Sequence, residues 1–196
     1  MSARITSTID DDSLWKAARA AVQRGWTITP GTYRQFPQAS ASKTNVEFPD
    51  LPGLAPFVPN WWRKPITTTT EVEAWWSHAP YGVLLSCGHG VDAIEVSSEL
   101  FAAMITGNLS SCLVGPIISL SNARYIILTD RPKPELAPEL PSSLGRWHFG
   151  ASWVPLPPTR VNRSVKAEWR QPPKRPLRLP SSDAVQHAVL AAGSAW

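Results

Sequence analysis

The cations of this chain are concentrated in one stretch. Between Arg160 and Arg178 stand Arg160, Arg163, Lys166, Arg170, Lys174, Arg175 and Arg178 against Glu168 alone, a local net of +6 in a chain whose total is +4. Such a run draws phosphate backbones or acidic partners, and it is also the composition of an ordinary solvated loop. His78, Cys87, His89 and Cys112 are residue types that ligate zinc. They lack a Cys-x2–4-Cys or His-x3–5-His pair, and a single glycine separates Cys87 from His89, so no metal site is expected and the cysteines read as free buried thiols. Nucleophile-elbow, P-loop and dinucleotide fingerprints are missing, and Gly88-His89-Gly90 reads as a tight turn. The pairs Trp61-Trp62 and Trp75-Trp76 offer rings for base stacking. Neighbours on a helix point apart, so at most one of Trp75 and Trp76 faces a core squarely.

The elements that must position these residues follow from pattern. With 196 residues, 43% hydrophobic and 17% charged, the chain fits one globular domain. Its 20 prolines predict long extended loops, and its 10 tryptophans predict large buried anchors for them. Residues 1–12 read as a flexible N-terminus and 13–196 as a single domain. Ser13 caps a helix over 14–24 that stops at Gly25, and 26–29 form a short strand ended by Pro30-Gly31. Residues 32–66 read as an irregular insertion pinned by Phe48, Phe57, Trp61 and Trp62. Thr70 to Glu73 fits a capping box opening a helix through Trp75 and Trp76. Strands are expected at 82–86 and 91–97, a helix at 99–105, and a hairpin from 113–120 and 125–129. A proline-rich loop over 131–141 leads to a strand over 147–156. An edge strand at 165–169, a basic proline-rich segment over 160–180 and a last helix within 181–192 close the chain. The order argues for a mixed sheet with helices packed on it, an α/β (α+β) domain. No run is apolar and long enough for a membrane span, Met1 to Asp12 lacks a secretory h-region, and two cysteines make no disulfide framework. Together these favour the cytoplasm.

Several segments, in order, resemble the N-terminal domain of bifunctional DNA primase/polymerases. They are Arg24-Gly25-Trp26-Thr27-Ile28-Thr29-Pro30-Gly31; Thr68-Thr69-Thr70 leading to Trp75-Trp76; Ala79 to Gly88; Asp92-Ala93-Ile94-Glu95-Val96; and Trp153 to Thr159. The resemblance covers roughly residues 14–170, and the look is that of short, standalone actinobacterial members with eroded motifs. It implies a primase–polymerase-like mixed sheet with long proline-rich loops. In active members two acids, one residue apart on a strand, share a face and hold two divalent cations for nucleotidyl transfer. Here those positions read Glu95-Val96-Ser97, so one carboxylate has become a hydroxyl. Tyr125 stands where the resemblance places a histidine, after Ser119-Leu120-Ser121-Asn122-Ala123-Arg124. The third acidic position falls near Arg146 to His148, where there is none, and His148 reads as a packed, hydrogen-bonded residue. Glu95, Ser97, Tyr125 and His148 are thus the vestiges of a catalytic site, and polymerase chemistry, a catalytic metal and a cofactor are not expected.

The leading reading is a non-catalytic module that binds nucleic acid (DNA or RNA) or nucleotide, using Arg124, Arg160, Arg163, Lys166, Arg170, Lys174 and Arg175. The alternative is a scaffold that meets an acidic protein partner through the same cations. Residual nucleotidyl transfer through Glu95 ranks last. The feature separating the first two is whether the cations line the face shared by Glu95 and Tyr125.

Overall fold

A computed structural model describes residues 8–32, 53–107, 113–120, 123–130, 141–162 and 164–194. The architecture is α+β. Among the described residues, four α-helices accompany two antiparallel sheets, of order β1-β2-β7 and β6-β3-β5-β4-β8. The elements are α1 (Thr8–Val22), β1 (Ile28–Gly31), α2 (Thr69–Trp76), β2 (Gly82–Ser86), β3 (Val91–Ser97) and α3 (Ser98–Thr106), followed by β4 (Ile117–Leu120), β5 (Arg124–Asp130), β6 (Gly145–His148), β7 (Trp153–Pro155), β8 (Ala167–Gln171) and α4 (Ser182–Gly193).

The first helix begins at Thr8, ahead of the expected cap Ser13. Residues 1–7 of the expected flexible terminus lie outside the described residues. Pro30 and Gly31, read as a turn, belong to β1, a strand of the small sheet's edge where a proline is tolerated. The insertion's described end packs back on that strand, with Thr32 N–H donating to Ala55 O and Phe57 N–H to Pro30 O, each at 2.8 Å. Phe48, Cys112 and most of the proline-rich loop after Asp130 lie outside the described residues. Cys87 is a buried free thiol.

The cap of α2 is Thr68, two residues earlier than expected. Its hydroxyl accepts from Glu71 N–H, and the Glu71 carboxylate accepts from Thr68 N–H at 3.0 Å. The sequence offers threonine three residues before glutamate in two overlapping frames, and the earlier frame wins. Trp76 is then buried and donates its indole N–H to Tyr81 O at 2.8 Å, while Trp75 is half-buried on Phe57 and Tyr81. The other pair divides likewise, Trp61 buried and Trp62 exposed.

The expected single strand over 147–156 is two strands in different sheets. Gly150, at φ +59°, turns the chain between β6 and β7, and Gly88, at φ +85°, does the same between β2 and β3. The two turns touch: a Cβ on Gly88 would lie 2.8 Å from Gly150 Cα and O, so only glycine fits there. The Asp92 carboxylate accepts from Gly88 N–H at 2.6 Å and fixes the turn.

Each face of the larger sheet has its own core. Ile94, Val96, Ile117 and Ile127 pack under α3 and α4. Ala93, Ile118, Leu120, Ile126, Leu128 and Ala167 face the other way, joining the small sheet, α1 and α2. Strand alternation therefore puts Glu95 and Ser97 on the second face, Glu95 buried in the larger core and Ser97 exposed at the strand's end.

Candidate functional site

Glu95 lies in the middle of β3, with β5 on one side and β6 on the other, and only 1% of it is exposed. The register sets Arg146 of β6 directly opposite Glu95, and Arg124 of β5 opposite Ser97. His148, two residues beyond Arg146 and so on the same face, is fully buried and reaches diagonally to Glu95. Its Nε2 lies 2.9 Å from Glu95 Oε2, and its Nδ1 lies 3.0 Å from Ser152 Oγ in the turn leading to β7. The other carboxylate oxygen, Oε1, forms an ion pair with Arg124 Nε, whose side chain is 26% exposed.

Burial holds the pKa of His148 below its ordinary value. The Glu95 carboxylate opposes that shift, and the charges of Arg146 and Arg124 reinforce it. The ring is therefore neutral near pH 7. A neutral imidazole beside a carboxylate carries its proton on Nε2 and donates it to Glu95, which leaves Nδ1 to accept from the Ser152 hydroxyl. Both oxygens of Glu95 are engaged by this chain's own side chains.

Ser97 has a different task. Its hydroxyl accepts from Leu100 N–H at 3.2 Å and caps α3. Tyr125 is not beside Glu95. It lies on the opposite face of β5, stacked on Phe101 with ring centroids 4.1 Å apart and planes inclined by 15°. The reading that Glu95 and Tyr125 share a face is thus corrected: in a strand, adjacent residues point to opposite sides, and Arg124 is the one that turns to Glu95.

A pair of divalent cations wants a cage of hard oxygen donors. This face offers one carboxylate already in two contacts, a capping hydroxyl, an imidazole and two guanidinium groups. That donor set does not fit such a pair, and the described residues hold no cluster of three or more His, Cys, Asp or Glu able to ligate a metal. The cluster links three strands, by an ion pair from Arg124 of β5 to Glu95 of β3 and by hydrogen bonds that join Glu95 with His148 of β6 and His148 with Ser152.

The basic run is divided by the fold. Arg160 and Lys166 form an antiparallel bridge just before β8, whose Ala167 pairs with Leu120, which in turn pairs with Arg124. These two cations stand at the Arg124 end of the sheet. Alternation from the core-facing Ala167 turns Lys166 to the face away from Glu95. Arg170 shares that side and rims a groove with Phe101, Ile105, Leu113 and Ile117. Lys174, Arg175 and Arg178 are exposed on a segment running from Gln171 to Pro180, whose carbonyl accepts from Asp130 N–H. That is the far end of the sheet. The six residue steps from Arg124 to Asp130 along β5 span roughly 20 Å. Arg163 lies outside the described residues.

One residue that matters here escaped the sequence reading. Ser152 ends the chain of contacts from Glu95 through His148, and nothing in its surroundings in sequence signals a partner.

Two antiparallel sheets with helices on the larger one, and a strand carrying a buried acid at the position where the resemblance expects one, define a primase–polymerase-like domain. The family model described as "Bifunctional DNA primase/polymerase, N-terminal" matches residues 18–182, and the chain belongs to that family. No curated protein matches it. Among the described residues no helix is long and apolar enough to cross a membrane.

Proposed function

We propose that this chain is a non-catalytic member of the primase/polymerase family that binds nucleic acid or nucleotide phosphate through surface cations. The observation that carries the reading is the state of Glu95. The one acid left at the motif is buried and held by Arg124 and His148, with Arg146 opposite, so the chemistry that needs a second carboxylate and bound cations has no support. Family membership supports an interaction with nucleic acid or nucleotide, and the net charge of +4 favours polyanions.

The test has two arms. Primer synthesis and extension assays with magnesium or manganese should give no template-dependent product, whereas product that disappears in Glu95→Ala would overturn the reading. Fluorescence-anisotropy titrations with labelled oligonucleotides should show sequence-tolerant, steeply salt-dependent binding. An absence of binding even near 50 mM salt, where electrostatic association with phosphates is strong, would instead favour an acidic protein as the partner.

A further inference from the structure

Among the described residues, the core under α3 and α4 takes side chains from β3, β4 and β5 but none from β8, the edge strand of the larger sheet. A groove of about 310 Å³ opens there, lined by Phe101 and Ile105 of α3, Leu113, Ile117 of β4, and Arg170 and Gln171 of β8. Its wall is braced from two sides. The Gln171 side-chain amide donates to Leu113 O at 3.1 Å and to Gly115 O at 2.7 Å. Gly115 in turn lies so close to Pro180 that a Cβ on it would come within 2.3 Å of Pro180 Cδ. A groove braced in this way exists before a ligand arrives, which lowers the ordering cost of binding. The rim is apolar and open to solvent, with Ile105 45% exposed and Val114, beside Leu113 in sequence, 58% exposed.

Two further features bear on the occupant. Arg170 is exposed, and among the described residues no acid forms an ion pair with it. The backbone of β8 is also open. Ala167 N–H donates to Thr159 O at 2.9 Å, on the side away from β4. Backbone groups alternate sides along a strand, so the N–H and C=O of Trp169 point the same way, and no described strand pairs with them there.

We propose that this groove binds an extended peptide that seats an apolar side chain on Ile105, Leu113 and Ile117, sets a carboxylate on Arg170 and pairs its backbone with Trp169. Arg170 and the apolar walls share one face of the sheet, so the acid must stand two positions from the apolar residue, where a strand returns to the same side. The site goes beyond the nucleic-acid reading above and does not depend on it. A nucleobase needs an open aromatic face on which to stack, whereas these walls are mainly aliphatic and their one ring, Phe101, already stacks on Tyr125. A run of phosphates is held by several cations, and the groove has one. An apolar side chain suits aliphatic walls, one carboxylate matches the guanidinium fork, and an extended backbone continues a sheet edge.

Anisotropy titrations of the full chain with two labelled peptides of equal composition test this. One has the core Glu-Thr-Leu-Thr-Glu, with acids on the leucine's face whichever way the peptide runs; the other has Thr-Glu-Leu-Glu-Thr, with acids on the opposite face. The first should bind about tenfold more tightly than the second, the worth of one hydrogen bond to a charged group. Arg170→Ala should remove that advantage and leave the second peptide's affinity unchanged. Ile105→Glu should weaken both, because it sets a charge at the apolar rim. Both residues are exposed, so neither variant threatens the fold. Peptide saturation should also slow hydrogen exchange at the Trp169 amide. Equal affinities for the two peptides, an Arg170→Ala variant that keeps the preference, or unchanged exchange at Trp169 would each overturn the proposal. So would displacement of the peptide by a single-stranded oligonucleotide at equal charge concentration, which would make the groove a nucleic-acid site. A sedimenting dimer that Ile105→Glu converts to monomer would overturn it in favour of a second copy of the chain.

Discussion

Two groups of cations occupy opposite ends of the same sheet and have opposite fates. At one end, Arg124 and Arg146 flank a buried carboxylate, and Arg124 closes an ion pair inside the fold. At the other, Lys174, Arg175 and Arg178 are exposed on the segment that follows β8. Charge that is already paired in the interior contributes to the architecture and is withheld from ligands. Charge held unpaired at the surface raises the local potential and is available to an anion. On the proposed reading, the family's position of chemistry serves here as a structural joint, and the surface cations are the ones left for recognition.

The largest expected effect comes from breaking the joint. Glu95→Ala leaves His148 without its acceptor and Arg124 without its counter-ion at a buried site, and loss of one partner of such a pair costs about 3 kcal/mol or more. Denaturant unfolding should show the midpoint falling sharply. An unchanged midpoint would mean that the Glu95 cluster holds nothing together and would erase the contrast between the two ends. Arg175→Ala, at the other end, should leave stability unchanged, because the side chain is exposed on the segment after β8.

The next effect is a pH dependence confined to the joint. His148 has a lowered pKa in the folded chain, against 6.5 for the ordinary imidazole. Between those two values the unfolded chain binds a proton that the folded chain does not, so stability rises with pH there and is lost as pH falls below about 6.5. The slope from one such group is at most about 1.4 kcal/mol per pH unit. Unfolding curves for the wild type and for His148→Gln across this window should differ in slope, the variant being flatter. Equal slopes would place the proton elsewhere.

Much of this arrangement is legible in the sequence. The strand carrying Glu95 and the later strand carrying Arg146 and His148 both follow from ordered motifs, and the register sets 146 and 148 on the Glu95 face. Tyr125 goes to the wrong face in a sequence reading because a shift of one residue reverses every side chain of a strand, and the pattern of Tyr125 to Thr129 does not reveal that pairing begins at Arg124. A strand read over 147–156 hides a sheet-to-sheet turn, since Gly150 is fixed by its contact with Gly88 and not by its neighbours in sequence. The basic run looks continuous when adjacency in sequence is the only measure. Its division depends on β8, which runs between the Arg160–Lys166 bridge and the exposed Lys174, Arg175 and Arg178.

The smallest effect is the most discriminating. Ser97→Asp introduces the second acid that the proposed reading finds missing, at a position that alternation places on the face of Glu95, opposite Arg124. The substitution should be tolerated, because Asp caps a helix as well as Ser does and Ser97 is the N-cap of α3. A carboxylate there also gains Arg124 as a neighbour at a partly exposed site, a contact worth no more than about 1 kcal/mol. Stability should therefore change by less than about 1 kcal/mol. The sharper readout is manganese binding, followed by electron paramagnetic resonance of the free ion. If Arg124 and His148 hold Glu95 as the geometry indicates, Ser97→Asp alone should leave the free manganese signal unchanged, because the new carboxylate faces a guanidinium and the old one is already bound. Ser97→Asp combined with Arg124→Ala removes that competing cation and should take up manganese if cation exclusion is what separates this site from the family's active ones. Manganese uptake by the single variant would show that the joint opens readily, and the distinction between a closed end and a receptive end of the sheet would fail.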